Sequence, residues 1–348
     1  MFSRNFFRTT ALGAVLLLTV AGCQKDTPSP VFEGPFLPAN FPSPVYDLSK
    51  NPVTEAGFTL GKRLFYAPLL SRDNTVACGD CHISFAAFSH PDHAVSHGID
   101  GLLGRRNALP IQNMLWRTTF FWDGGVPHLD FTPLNAIQNP VEMDESPGRV
   151  LDKLRAHPQY PALFKAAFGS EEINTARFLQ ALSQFMAMLV SANSRYDRYV
   201  RNEPGGTLSA DEREGLALFR QKCASCHATD LFTDQTFRNN GLDRSFEFDQ
   251  GRFEVSALSG DEGKFAVPSL RNVTSTAPYM HDGRFKTLEQ VLEHYASGVQ
   301  PSPTLDPLLR QPNGQLGIPL TADEKRKIIA FLGTLRDEEF LRDKRFAE

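Results

Sequence analysis

Apolar positions along the chain fall into two kinds of pattern, separated by stretches with neither. Ala11 to Val20 is a short unbroken apolar run behind Arg4 and Arg8. It is too short to cross a bilayer, which takes about 20 apolar residues. Farther on, apolar residues return at helical spacing. Phe178, Leu182, Phe185 and Leu189 share one face of a helix predicted over 174–200. Ile328, Ile329, Leu332 and Leu335 form a second stripe near the C-terminus. Two helix starts are explicit: Ser209-Ala210-Asp211-Glu212 and Thr321-Ala322-Asp323-Glu324 both read as capping boxes. In each, the hydroxyl caps a backbone amide three residues on and the Glu reaches back. Between the apolar run and the first folded segment stand Pro28, Pro30, Pro35, Pro38, Pro42 and Pro44, which read as an extended tether. Pro204-Gly205-Gly206 reads as a linker.

The N-terminal pattern is a targeting signal. The apolar run ends in Val20-Ala21-Gly22-Cys23, which resembles the bacterial lipobox. Residues 1–22 are therefore expected to be a lipoprotein signal peptide, with Cys23 the lipidation site and 23–45 the tether. The alternative is an ordinary secretory peptide with an incidental Cys. Acyl chains would place an exported protein on the periplasmic side of a membrane or in the cell envelope, held by the lipid anchor only. The length of 348 residues suits two domains plus this segment. A net charge of -4 offers no basic footprint, so nucleic acid is not an expected partner.

Cysteine usage narrows the chemistry. Apart from Cys23, the cysteines occur as Cys78-Gly79-Asp80-Cys81-His82 and Cys223-Ala224-Ser225-Cys226-His227. C-x-x-C-H is the attachment motif of a c-type haem. Two thiols add to the vinyl groups on one porphyrin edge, and the adjacent His reaches the iron. A zinc site would have to join the two pairs across the chain and would leave both histidines unexplained. Gly61-Lys62-Arg63-Leu64-Phe65 precedes the first motif and Gly215-Leu216-Ala217-Leu218-Phe219 the second. Both read G-x-x-L-F. Glycine in such a helix is tolerable where another helix approaches closely, as the terminal helices do in cytochrome c folds. The expected fold class is mostly α, with two cytochrome c-like haem domains in tandem, 46–203 and 204–348.

Longer stretches resemble the bacterial di-haem cytochrome c peroxidases and the MauG group. They are Leu70-Ser71-Arg72-Asp73, Gly104-Arg105-Arg106-Asn107, Phe121-Trp122-Asp123-Gly124, Asn139-Pro140-Val141-Glu142-Met143, Val267-Pro268-Ser269-Leu270-Arg271-Asn272 and Ala277-Pro278-Tyr279-Met280-His281-Asp282-Gly283. The resemblance implies that His82 holds the peroxidatic haem and His227 the electron-transfer haem. It makes Glu142 the distal acid and Trp122 the aromatic between the haems. It gives Ca²⁺ a site made by Asn107 and the carbonyls of Thr276 and Pro278. It places the second haem's sixth ligand at Tyr295, where ordinary peroxidases have Met and the MauG group Tyr. Met280 is the rival ligand, and without the resemblance Tyr295 would simply continue the stripe of Leu288, Val291 and Leu292. The displaceable distal His of ordinary peroxidases aligns with Ile99; His97, His90 and His93 are nearby candidates. Thr132 and Ala136 stand where the family usually has Gln and Pro.

Three functions follow. The first is a peroxidase that reduces hydrogen peroxide with electrons from a small redox protein, relayed from the C-terminal to the N-terminal haem. The second resembles MauG and MbnH, using the same oxidising equivalents on tryptophan of a partner protein. The third is a non-enzymatic di-haem electron carrier.

Overall fold

The structure, a computed structural model, describes residues 1–2 and 32–348. The signal segment and Cys23 lie outside the described residues. The described chain is mostly helical, as expected. Its first half carries α1 (Glu55–Phe65), α2 (Cys78–Cys81), α3 (Thr132–Gln138), α4 (Pro147–Ala156), α5 (Tyr160–Phe168), α6 (Thr175–Met188) and α7 (Arg195–Val200). Its second half carries α8 (Ala210–Lys222), α9 (Phe253–Ser256), α10 (Leu288–Glu293), α11 (Ala322–Gly333) and α12 (Glu338–Leu341). One short antiparallel ladder joins β1 (Phe237–Arg238) to β2 (Phe265–Ala266), pairing Phe237 with Ala266 and Arg238 with Phe265. Among the described residues no helix is long and apolar enough to cross a membrane.

Two helix crossings organise the chain, and a glycine permits each. In the first half α1 packs on α6, and a Cβ on Gly61 would stand 2.0 Å from the Ala181 carbonyl oxygen. In the second half α8 packs on α11, and a Cβ on Gly215 would stand 2.0 Å from the Lys327 carbonyl oxygen. Any side chain at either position would push the helices apart. Each crossing is finished by three phenylalanines. Phe65 and Phe88 close on Phe185, with Phe65 and Phe185 centroids 4.9 Å apart. Phe219 and Phe232 close on Phe331, with Phe219 and Phe331 centroids 5.1 Å apart. The two capping boxes are formed as read, Ser209 on Glu212 and Thr321 on Glu324. Ile328, Leu332 and Leu335 are buried.

Two expectations are corrected. The helix predicted over 174–200 breaks into α6 and α7. Its apolar face stays buried through Leu189, but Asn113 captures the chain beyond: its Oδ1 accepts from Ser191 N and its Nδ2 donates to Ser191 O. Ser194 then caps a new helix with Asp197 as the reciprocal partner. The tether also ends earlier than expected, because its last residues pack on the body. Phe41 lies edge-on to Trp116 at 5.1 Å, and Trp116 Nε1 donates to Pro42 O.

The halves are tied by buried polar groups. Arg271, fully buried, pairs with Asp197 and donates to the Ser191 and Asp230 carbonyls. Asn272 donates to Gln112 Oε1 and Ser191 Oγ and accepts from Asp337 N. Such a network is stable only because its members satisfy one another. Residues 33–348 form one compact unit.

Candidate functional site

Each C-x-x-C-H motif opens onto a large cavity. The first, about 680 Å³, is lined by Cys78, Cys81 and His82. The second, about 660 Å³, is lined by Cys223, Cys226 and His227. Both volumes fall within the range of small-molecule and cofactor sites. The two imidazoles are held alike. His82 Nδ1 lies 2.7 Å from the Phe88 carbonyl oxygen, and His227 Nδ1 lies 3.1 Å from that of Phe232. This contact commits Nδ1 and leaves Nε2 as the remaining donor to a metal. Burial lowers both imidazole pKa values, which keeps them neutral and able to ligate. Both carbonyls belong to phenylalanines in the left-handed region, φ 60° for Phe88 and 54° for Phe232. A bulky residue there costs on the order of 1–3 kcal/mol, and such strain collects at functional sites.

Among the described residues the four motif cysteines are free thiols. Burial pushes Cys78 up to about 12, Cys81 to about 11 and Cys223 to about 12, and raises Cys226. They therefore stand as protonated thiols rather than thiolate nucleophiles. A thiol pair, one neutral imidazole with a free nitrogen and a large, mostly apolar cavity are a donor set that fits haem.

The rest of the lining differs between the two cavities. The first is also lined by Glu142, Thr132, Ala136, Asn135 and Asn139. Burial raises the Glu142 carboxyl above the usual carboxylate range, and hydrogen bonds from Asn139 and Ser96 oppose that rise. Ile99 N donates to Glu142 O, so the segment carrying Ile99 lies against the one carrying the acid. His97 lines this cavity, and Cys81 Sγ lies 3.5 Å from its carbonyl oxygen. The three nearby histidines gather together: His90 stacks on His93 at 4.1 Å, and His93 meets His97 at 4.6 Å. His90 is buried with Nδ1 unpartnered, and burial followed by its histidine neighbours pushes it down to about 4.

The second cavity is lined by both Met280 and Tyr295. Tyr295 lies in a π-helical turn, His294–Gly298, that follows α10. Such wide turns often mark functional positions. Burial pushes its phenol up to about 12, with a hydrogen bond to Asn240 working the other way. The same Asn240 Nδ2 donates to Met280 Sδ at 3.4 Å. One amide thus contacts both rival residues.

Trp122 and Asn107 line both cavities. Trp122 Nε1 donates to Asn107 O at 2.8 Å, and Asn107 N donates to His281 O at 2.7 Å. Thr276 and Pro278 line the second cavity together with Asn107. Asn107 Nδ2 donates to the His93 and Ala94 carbonyls. His281, expected to hold no iron and to sit beside the site or on the surface, stacks its ring on Phe265 at 3.7 Å and meets Trp122 edge-on at 6.4 Å. Arg106 lies over the Phe265 ring at 5.7 Å and pairs with Asp123 and Asp249. The G-R-R-N and F-W-D-G motifs could have signalled that pairing. Asp243, His281 and Asp282 bring possible metal ligands within 4.8 Å. Arg284 already pairs with both carboxylates there.

The helix crossings and the paired cavities define a helical protein built to hold two haems. Comparison with known proteins names the group. Residues 55–205 match the sequence family of di-haem cytochrome c peroxidases. The chain is 37% identical to the methylamine utilization protein MauG of Methylorubrum extorquens, across 83% of this chain and 80% of that one. It is 32% identical to the cytochrome c551 peroxidase of Nitrosomonas europaea, across 80% of each. A solved MauG-like protein associated with microbial copper homeostasis superposes with a TM-score of 0.80 at 33% identity, covering 89% of this chain and 97% of that one. The chain belongs to the di-haem cytochrome c peroxidase and MauG family, and is an oxidoreductase of the class acting on peroxide.

Proposed function

We propose that the chain reduces hydrogen peroxide in the first cavity with electrons that arrive through the second. The observation that carries this reading is that Trp122 lines both cavities while Glu142 lines only the first. The division into an N-terminal half, 46–203, and a C-terminal half, 204–348, belongs to the same reading. Cys78 and Cys81 in one half, and Cys223 and Cys226 in the other, attach the haems covalently. Haem, when bound, supplies the redox iron and the electron reservoir.

The protein's part is positioning and proton management. His82 and His227 offer Nε2 to the iron while the phenylalanine carbonyls fix each ring. Glu142, partly desolvated, takes a proton from the near oxygen of peroxide and returns it to the far one, which assists O–O cleavage. Trp122, held by the Asn107 carbonyl, is the aromatic step between the halves. Asn107 with the carbonyls of Thr276 and Pro278 binds Ca²⁺, an ion suited to oxygen ligands. Export, the lipid anchor at Cys23 and a periplasmic place complete the reading, with a small redox protein as donor.

A second reading is favoured by Tyr295. A phenolate ligand stabilises oxidised iron more than a thioether does, which suits storing oxidising equivalents for a partner protein's tryptophan. Because burial favours the neutral phenol, ligation as phenolate relies on the positive iron to offset that burial. The test is one equivalent of hydrogen peroxide added to the oxidised protein without reductant, followed by optical and EPR spectra. Loss of both ferric signals into one long-lived species supports the second reading. A reaction only after the second haem is reduced supports the first. No reaction in either state would sink both and leave an electron carrier. Tyr295→Phe should change the second haem's ferric spectrum and Met280→Leu should not; the reverse would make Met280 the ligand.

A further inference from the structure

Five basic side chains line the two cavities, and four have carboxylate partners. Arg105 pairs with Glu254, and Arg106 with Asp123 and Asp249. Lys222 pairs with Glu324, and Arg238 with Asp234 and Asp306. Arg117, on the wall of the first cavity, is the exception. Its one side-chain hydrogen bond among the described residues runs from Nε to the Thr119 carbonyl at 3.3 Å. Burial alone pushes it down to about 10, with no carboxylate to hold it up.

The strand of chain that carries Arg117 is held from the other half of the molecule. Gln235 Nε2 donates to Trp116 O at 2.9 Å, and Gln235 Oε1 accepts from Thr118 N at 2.9 Å. One amide side chain therefore clamps the backbone on both sides of Arg117. Trp116 is itself buried. The backbone at Arg117 is thus held at the cavity wall, with a half-buried charge that no carboxylate among the described residues neutralises. Buried charges persist when something pairs with them. The cavity's ligand is an apolar macrocycle with two carboxylates, and a planar guanidinium fork matches a carboxylate.

We propose that Arg117 is the carboxylate subsite of the first cavity, pairing with a propionate of the haem held by His82. The inference rests on the functional reading only in that this cavity holds haem. Arg117 is a positioning residue: it orients the haem and offsets the propionate charge that would otherwise favour ferric iron. The second cavity has no counterpart, because its basic residues are already paired. Gln235 makes the subsite depend on the C-terminal half.

The test is a potentiometric titration of the holoprotein, followed by optical and EPR spectra that separate the two haems, after haem content has been measured. In Arg117→Gln the ferric/ferrous equilibrium of the first haem should shift about tenfold toward ferric, equivalent to about 59 mV for one electron. The second haem should keep its potential. Arg117→Lys, which keeps the charge but not the fork, should retain most of the wild-type value. An unchanged first haem in Arg117→Gln would overturn the proposal. So would an equal shift of both haems, or an Arg117→Lys shift as large as that of Arg117→Gln, since either indicates lost packing rather than a lost charge. Wild-type protein without haem in the first cavity would overturn the functional reading as well, whereas two haems with an unchanged potential would overturn this proposal alone.

Discussion

The two halves hold their imidazoles with the same parts. Each uses a glycine crossing, a phenylalanine triad and a left-handed phenylalanine whose carbonyl takes the histidine Nδ1. The rest of each cavity's lining is different. The first half presents a partly desolvated Glu142 and an Arg117 with no carboxylate partner among the described residues, with Thr132 and Ala136 leaving small side chains on the wall. The second presents Tyr295 and Met280, both touched by Asn240, and its basic residues are neutralised. The histidine scaffold is common to the two sites, and the remaining lining residues are what set them apart. Trp122 lines both cavities.

The largest expected way to break this contrast is Glu142→Gln. It should slow the reaction with peroxide by about 10²–10⁴-fold, the ordinary contribution of a positioned acid–base group. The second haem's spectrum should be unchanged, as stopped-flow absorbance would record. The wild-type rate should also depend on pH through this group. Glu142 acts first as a base, so the rate falls as pH drops through its pKa. Because burial raises that pKa, the fall should come above the ordinary glutamate value of about 4.3. A pH–rate profile that is flat across that region would count against the assignment.

A smaller effect tests the shared scaffold. Gly61→Ala and Gly215→Ala should each destabilise the protein by roughly 1–3 kcal/mol, the usual cost of overpacking. Denaturant melts with haem absorbance as the probe would measure both. If one substitution were neutral, the crossings would not be equivalent. Smallest is Thr321→Ala, which removes the cap of α11 and should cost about 1 kcal/mol in the same melts.

Much of this comparison was legible in the sequence, and the exceptions have physical reasons. Capping boxes and the G-x-x-L-F pairs are local signals, and each led to the expected element, while each C-x-x-C-H motif lines a large cavity. The break between α6 and α7 was missed because the apolar face continues through Leu189, although Ser194 and Asp197 spell a further capping box. The tether was drawn too long because proline content reads as extended chain, while the burial of Phe41 depends on Trp116, far away in sequence. His281 and Arg117 carried no signal. The first is defined by stacking on Phe265, and the second by lacking a carboxylate partner among the described residues. Neither property is written in residue spacing.

The central claim is that peroxide is handled at the Glu142 wall and not at the Tyr295 wall. The most direct test is rapid-freeze EPR after peroxide is mixed with wild-type and Glu142→Gln protein. The account predicts that the ferric signal of the first haem changes earliest in the wild type and that this change is strongly slowed in the variant. An earliest change at the second haem, or an equal rate in both proteins, would contradict it.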